Sequence, residues 1–301
     1  MRFATIRNEQ GTRLHVRGTT GYVDVGHATG NESFATLSTF LLGGHEALSA
    51  AEELTRHPGR EVAEIDFAPA APSPGRVLCL GLNYGDHARE AGWLPPAWPE
   101  PFIRGPQSLV GPYDEIVKPL LSSELDFEGE LAVVIGQGGR YIPAAKALDA
   151  VLGFTVINEV TARDWQRASK QWTAGKNFDS TMPLGPEIVT PDEVDISDVV
   201  VTTKVNGETM QSASTSQMLT SVVRSIEFFS SFTRLMPGDV IATGTPAGVG
   251  FARTPPTYLQ AGDVVEVDIV GIGSLRNRVV DEVGVPTDWP WVPELSGERT
   301  L

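Results

Sequence analysis

Apolar and polar residues alternate one by one through much of this chain, the period of two that marks strands burying one face. The pattern starts at once: RFATI, LHVR and YVDV read as short strands. SFATLSTFLLGG and EALSAAEELTRH then shift to the three-to-four spacing of amphipathic helices. FAPAAPSPG, rich in Pro and Ala, has no period and predicts an extended connection with a domain boundary near residue 70.

Beyond it, short β-rich runs dominate: RVLCLGLNY, IVKPL, ELAVVIG, GFTVINEV, GPEIVT, VVVTTKVNG, DVIATG, DVVEVDIVG and LRNRVV. Two helices are predicted among them, over AAKALDAV and MLTSVVRSIEFFSSFTRL. Strands and helices do not alternate regularly, so a doubly wound sheet or a TIM barrel fits poorly. The pattern predicts a mixed, β-rich α+β fold. A small N-terminal α/β lobe is expected over 1–70, a larger domain over 71–284, and an extended tail over 285–301 against the surface or a partner subunit.

With 301 residues, 41% of them hydrophobic, the chain can bury a full core. Its formal net charge of -15, with no Lys/Arg-rich run, excludes the basic footprint of a nucleic-acid-binding protein. The single cysteine, Cys79, lies in an apolar run, which predicts a buried strand residue and rules out an intramolecular disulfide or a cysteine zinc cluster. No 18 consecutive apolar residues occur and the N-terminus lacks a signal-peptide core, so a soluble, cytoplasmic protein without a membrane partner is expected.

The strongest chemical constellation is LDFEGELAVVIG. In a strand, Glu128 and Glu130 project to one face, and two converging carboxylates repel unless a cation joins them. All-oxygen ligands select a hard divalent ion, Mg²⁺ or Mn²⁺, with Ca²⁺ as a further candidate. A third carboxylate, Glu159, closes GFTVINEV and precedes Arg163 and Gln166, while Lys176 follows a glycine in WTAGKNFDS. In GLNYGDHAREAG, His87 and Glu90 are three apart, close enough to meet on one helical turn as an imidazole–carboxylate base. The Pro-rich WLPPAWPEP that follows reads as a stiff loop that could serve as a lid. In LMPGDVIATGTPAGVG, Thr243 and Thr245 sit in a glycine turn able to offer N–H groups and hydroxyls to an anion, without the lysine of a phosphate loop.

Together, GLNYGDHARE, LDFEGELAVVIG, GFTVINEVTARDWQ, GKNFDSTMPLGP, KVNGETMQSASTSQM, MPGDVIATGTPAGVG and GDVVEVDIVGIGSLRN resemble, in order, the fumarylacetoacetate hydrolase family. The similarity runs from about Arg76 to Glu282 and extends to acylpyruvate and fumarylpyruvate hydrolases and 2-hydroxyhepta-2,4-diene-1,7-dioate isomerases. It implies a β-roll catalytic domain and a homodimer. It also implies a metal held by Glu128, Glu130 and Glu159, a water-activating dyad of His87 and Glu90 assisted by Lys176, and substrate contacts from Tyr84, Arg104, Arg163, Gln166 and Thr245. The chain departs from the family pattern twice: NEVTARD carries Glu159 where the pattern has Asp, and FIRGP carries Arg104 and Gly105 where it has Lys and Pro.

The resemblance implies hydrolytic C–C cleavage of a small dioxo acid of acylpyruvate type. The alternative is decarboxylation, tautomerisation or isomerisation of an oxaloacetate-like acid. An alternative of another class is a binding protein that Glu159 has deprived of its metal.

Overall fold

The structure, a computed structural model, describes residues 1–9, 11–59 and 65–284. The tail expected over 285–301 lies outside the described residues. Two sheets carry the molecule. The larger runs in the order Tyr22–Asp24, Gly11–Arg17, Arg2–Asn8, Met182–Val189, Val151–Asn158, Gly129–Ile135, Val240–Ala242, Val77–Gly81 and Glu100–Arg104, with Leu109–Val110 paired in parallel to Met182–Val189. The smaller runs Glu208–Ser214, Val200–Val205, Val264–Ile269, Gly273–Asp281 and Ile116–Lys118. This is the mixed, β-rich α+β architecture that the alternating pattern predicts.

The Gly129–Ile135 strand explains why two layers form. Every residue in it is buried, as a strand covered on both faces requires. Leu131, Val133 and Ile135 join one core with Val201, Val267 and Leu275 of the smaller sheet and Ile226 and Phe229 of the Val222–Phe232 helix. Ala132 and Val134 point the other way, into a core with Phe3, Leu14, Phe34, Phe40 and Ala47. Arg2 pairs with Val189 and Ala4 with Glu187, so the sheet runs without a break across the boundary expected near residue 70.

Two helices differ from the pattern. AAKALDAV forms two 3₁₀ turns, Ala144–Lys146 and Leu148–Ala150, and Val151 already pairs with Ile135. A segment this short gains too few helical bonds to offset nucleation, and the sheet takes its last residue. The Val222–Phe232 helix starts four residues later than MLTSVVRS predicts, because the Ser221 side chain caps the N–H of Arg224 and Asn83 holds the preceding loop through the N–H groups of Leu219 and Thr220.

Candidate active site

Two strand ends bring the three glutamates together. Ile157 lies opposite Glu130 and Asn158 opposite Gly129, and the next rung is closed by the Glu159 N–H donating to the Glu128 carbonyl at 2.8 Å. Residues opposite each other share a face, so Glu128, Glu130 and Glu159 converge. Ligand oxygens from all three lie within 4.8 Å of one another, and all three side chains are buried. Gly129 makes the close packing behind them possible: a Cβ there would stand 2.1 Å from Thr203 Oγ1 and 2.9 Å from Val267 Cγ1 of the smaller sheet. Asn158 and Gln211 then accept the N–H groups of Glu128 and Gly129.

Three buried cations surround the triad. Lys176 Nζ lies 2.6 Å from Glu128 Oε2 and 3.4 Å from Glu159 Oε2. It is carried by the short Thr173–Lys176 helix, which packs close because a Cβ on Gly175 would meet the Gln166 N–H at 2.5 Å. Arg163 Nη1 contacts Glu128 Oε1 at 2.6 Å and Gln166 Oε1 at 3.0 Å, while its Nε holds Asp126 at 2.8 Å. Arg104 Nη1 stands 3.8 Å from Glu159 Oε1.

Burial alone would raise the Glu128 carboxyl, but Lys176 and Arg163 overcome it and draw the group down to about 2. Glu130 goes the other way. Burial, then repulsion from Glu159 and Glu128, push it well above the usual carboxylate range, and the Gly244 N–H at 2.7 Å only partly relieves it.

Glu159 Oε1 is buried without a hydrogen-bond partner. An orphaned carboxylate oxygen, a raised neighbour and an all-oxygen donor set together suit a hard divalent cation, so the residues present fit the metal that the sequence pattern implies.

His87 and Glu90 meet on the Gly85–Glu90 helix as their spacing predicts, with His87 Nδ1 2.9 Å from Glu90 Oε1. The Gly248 N–H donates to Glu90 Oε2 at 2.8 Å. The glycine turn after the Val240–Ala242 strand thus does offer its N–H groups to anions, but the anions are two carboxylates of the protein, Glu130 and Glu90. Gly244 and Gly248 have φ values of 101° and 109°, which side chains rarely tolerate.

A cavity of about 450 Å³ opens over the triad. His87, Glu128, Glu130, Glu159, Arg163, Gln166, Lys176 and Thr245 line it. Glu90 does not line it but contacts His87, which does. Two residues expected at the substrate stand elsewhere: Tyr84 lines a separate cavity with Asp86 and Arg89, and Arg104, fully buried, lies behind Glu159. Thr245 is present, but its hydroxyl donates to the Gly129 carbonyl at 3.0 Å and accepts from Gln211 Nε2 at 2.7 Å. Of the Pro-rich loop, Trp93 lines the cavity, while Trp98 packs edge-on against Phe228.

Sequence reasoning missed Asp126, Gln211, Phe102, Trp172 and Phe251. Asp126 had a signal, because it precedes Glu128 by two in the same alternating run, and it accepts from Arg163 and from the N–H groups of Gly250 and Phe251. Trp172 packs its ring against Gly81 and edge-on against Phe102, contacts that no local pattern announces.

A sequence profile of the family Fumarylacetoacetate (FAA) hydrolase C-terminal matches residues 76–280. The chain belongs to the fumarylacetoacetate hydrolase family. It is 44% identical over 250 residues to the mitochondrial oxaloacetate tautomerase FAHD2A of Bos taurus, covering 81% of this chain and 80% of that one. A solved structure of fumarylacetoacetate hydrolase from Exiguobacterium antarcticum is similar at a TM-score of 0.81 with 38% identity, over 94% of this chain and 100% of the other. That of 2-hydroxyhepta-2,4-diene-1,7-dioate isomerase from Mycobacterium marinum gives a TM-score of 0.72 with 33% identity, over the same shares of the two chains. The fold is thus the family's. Among the described residues no helix is long and apolar enough to cross a membrane.

Proposed function

We propose that this chain is a divalent-cation-dependent enzyme that moves a proton on the skeleton of a small oxo acid of the oxaloacetate type, a keto–enol tautomerase or isomerase. The observation that carries this reading is the convergence in one cavity of an acidic triad, a buried lysine and an imidazole whose Nδ1 is already engaged. The relatives named oxaloacetate tautomerase, at 44% identity over four-fifths of both chains, favour proton transfer over hydrolysis.

Glu128, Glu130 and Glu159 would hold the cation, Mg²⁺ or Mn²⁺ by donor type. When bound, it supplies Lewis-acid polarisation of the substrate's oxo oxygen. With Nδ1 paired to Glu90, His87 presents Nε2 as the acceptor nitrogen. It takes a proton from the carbon next to the oxo group. Lys176 and Gln166 orient the oxo oxygen, to which His87 delivers the same proton so that carbon loses one proton and oxygen gains it, and Arg163, pinned by Asp126 and Glu128, adds fixed positive charge toward a substrate carboxylate.

A second reading keeps the dyad but gives it a water, which would attack an acylpyruvate-type dioxo acid and cleave its C–C bond. The similarity to a fumarylacetoacetate hydrolase structure supports it. Both are tested by following the enol absorbance of oxaloacetate and the cleavage of acylpyruvates, with Mg²⁺, with Mn²⁺ and with chelator. Metal-dependent enol decay without acylpyruvate cleavage is expected. Cleavage with no effect on the enol would overturn tautomerisation in favour of hydrolysis, and a protein that takes no metal and acts on neither would be a binding protein.

A further inference from the structure

Arg104 is an unusual group to find where it is. It ends the Glu100–Arg104 strand at the edge of the large sheet, opposite Val77, yet its side chain is fully buried. It does not line the cavity, so it cannot touch a substrate there. Its guanidinium is held from two sides, Nη1 donating to the Val160 carbonyl at 2.9 Å and Nη2 to Thr181 Oγ1 at 2.8 Å. The Thr181 hydroxyl is fixed in turn, because it donates to the Phe178 carbonyl at 2.7 Å. Val160 is the residue that follows Glu159. The anchored fork therefore grips the backbone beside Glu159 while its charge stands 3.8 Å from Glu159 Oε1.

Glu159 has three side-chain torsions to settle, and its carboxylate has little else to orient it. Oε1 has no hydrogen bond, and Oε2 faces Lys176, a flexible single-bond chain whose tighter partner is Glu128. A planar, doubly anchored cation behind the carboxylate is the feature able to fix its direction.

We propose that Arg104 is a positioning residue for metal binding: through its bonds to Val160 and Thr181 it sets the place of Glu159 and so the affinity of the triad for a divalent cation. The inference rests on the triad being a cation site. Partners lying behind a ligand commonly contribute this way, and their loss weakens metal binding by roughly 10- to 100-fold.

The test is calorimetric titration of the full-length protein with Mn²⁺, in wild type, Arg104→Lys, Thr181→Val and the double variant, at a temperature where each melts well above the assay. Arg104→Lys keeps the charge and loses the fork. Thr181→Val keeps the arginine and its charge, loses one anchor and conserves volume. Both should weaken Mn²⁺ binding, Arg104→Lys by roughly 10- to 100-fold. The double variant should bind no worse than Arg104→Lys alone, because the two changes break one linkage. Unchanged affinity in either single variant, or losses that multiply in the double, would overturn the proposal, since a side chain that only supports the fold lowers the melting temperature without touching Mn²⁺ affinity. If Arg104→Lys fails to fold, Thr181→Val decides alone. A wild type that binds Mn²⁺ while the variants match it refutes only the role of Arg104, whereas a wild type that takes up no Mn²⁺ refutes the cation site as well.

Discussion

Glu130 lies in the Gly129–Ile135 strand and Glu128 immediately before it, two residues apart and facing the same way, and the structure treats them in opposite ways. Glu128 sits between Lys176 and Arg163, each 2.6 Å away, and is held ionised, its carboxyl drawn down to about 2. Glu130 has one backbone N–H and two like-charged neighbours, and burial with that repulsion raises it well above the ordinary range. Their alternation makes the two equivalent; the segments folded over them do not. Glu128 belongs to an internal ion network with Lys176 and Arg163, while Glu130 makes no ion pair among the described residues and so has most to gain from a bound cation.

That contrast sets the largest expected effects. Glu128→Ala and Glu130→Ala should each abolish activity with parallel loss of bound metal, yet they should differ in the metal-free protein. Removing Glu128 strips Lys176 and Arg163 of their shared partner in a buried site, which costs about 3–5 kcal/mol. Removing Glu130 relieves repulsion and should leave stability unchanged or higher. Urea unfolding in chelator measures both, and equal destabilisation by the two substitutions would refute the division drawn here. Next comes His87→Ala, which should lower turnover by roughly 10²–10⁴, the range for a lost general base. If kcat on the enol of oxaloacetate is unchanged in that variant, His87 is not the base.

How much of this was legible from the chain follows from the range of each interaction. Strand alternation made the sheets and the shared face of Glu128 and Glu130 readable, because period two is a local property. The spacing of His87 and Glu90 likewise announced their contact, since one helical turn fixes it. The hairpin strand Glu208–Ser214 carries a turn signal in Asn206-Gly207, with φ values of 51° and 81°, but the run after it is polar and its alternation predicts no strand. The third carboxylate could be placed only through the family pattern, because Glu159 joins the others through a strand register that no local rule supplies. Arg104 is a substrate contact only by the resemblance, and nothing local in FIRGP announces its burial, which depends on Val160 and Thr181, 56 and 77 residues away. The continuity of the large sheet across residue 70 was hidden as well, since pairing of Arg2–Asn8 with Met182–Val189 leaves no mark on the linker between.

A medium effect should come from Gly129, which lies between the two unlike glutamates and lets the smaller sheet approach. Gly129→Ala places a methyl against Thr203 Oγ1 and Val267, side chains of two different strands that are themselves packed. Overpacking of this kind costs about 1–3 kcal/mol. The backbone that carries Glu128 and Glu130 must shift to accommodate it, so Mn²⁺ affinity should fall along with the melting temperature. Pairing it with Thr203→Ser, which removes a methyl but keeps the clashing oxygen, should give little relief, while Thr203→Ala should restore part of both losses.

The smallest expected effect separates two roles for Thr245. The family pattern assigns its hydroxyl to the substrate, while the structure has it donating to the Gly129 carbonyl and accepting from Gln211, whose amide also binds Pro246 and the Gly129 N–H. If the hydroxyl serves this network, its task is to lock the strand turn beneath Glu130 to the glycine turn above it. Thr245→Val then leaves the Gln211 amide short of one acceptor and the Gly129 carbonyl short of one donor, a loss of about 1 kcal/mol with KM nearly unchanged. Thr245→Ser retains the hydroxyl and should match wild type in both stability and kinetics. If the hydroxyl instead contacts substrate, Thr245→Val raises KM and spares the melting temperature. Thermal unfolding and steady-state kinetics on the same two variants therefore distinguish the roles, and a pure KM effect would return Thr245 to the substrate.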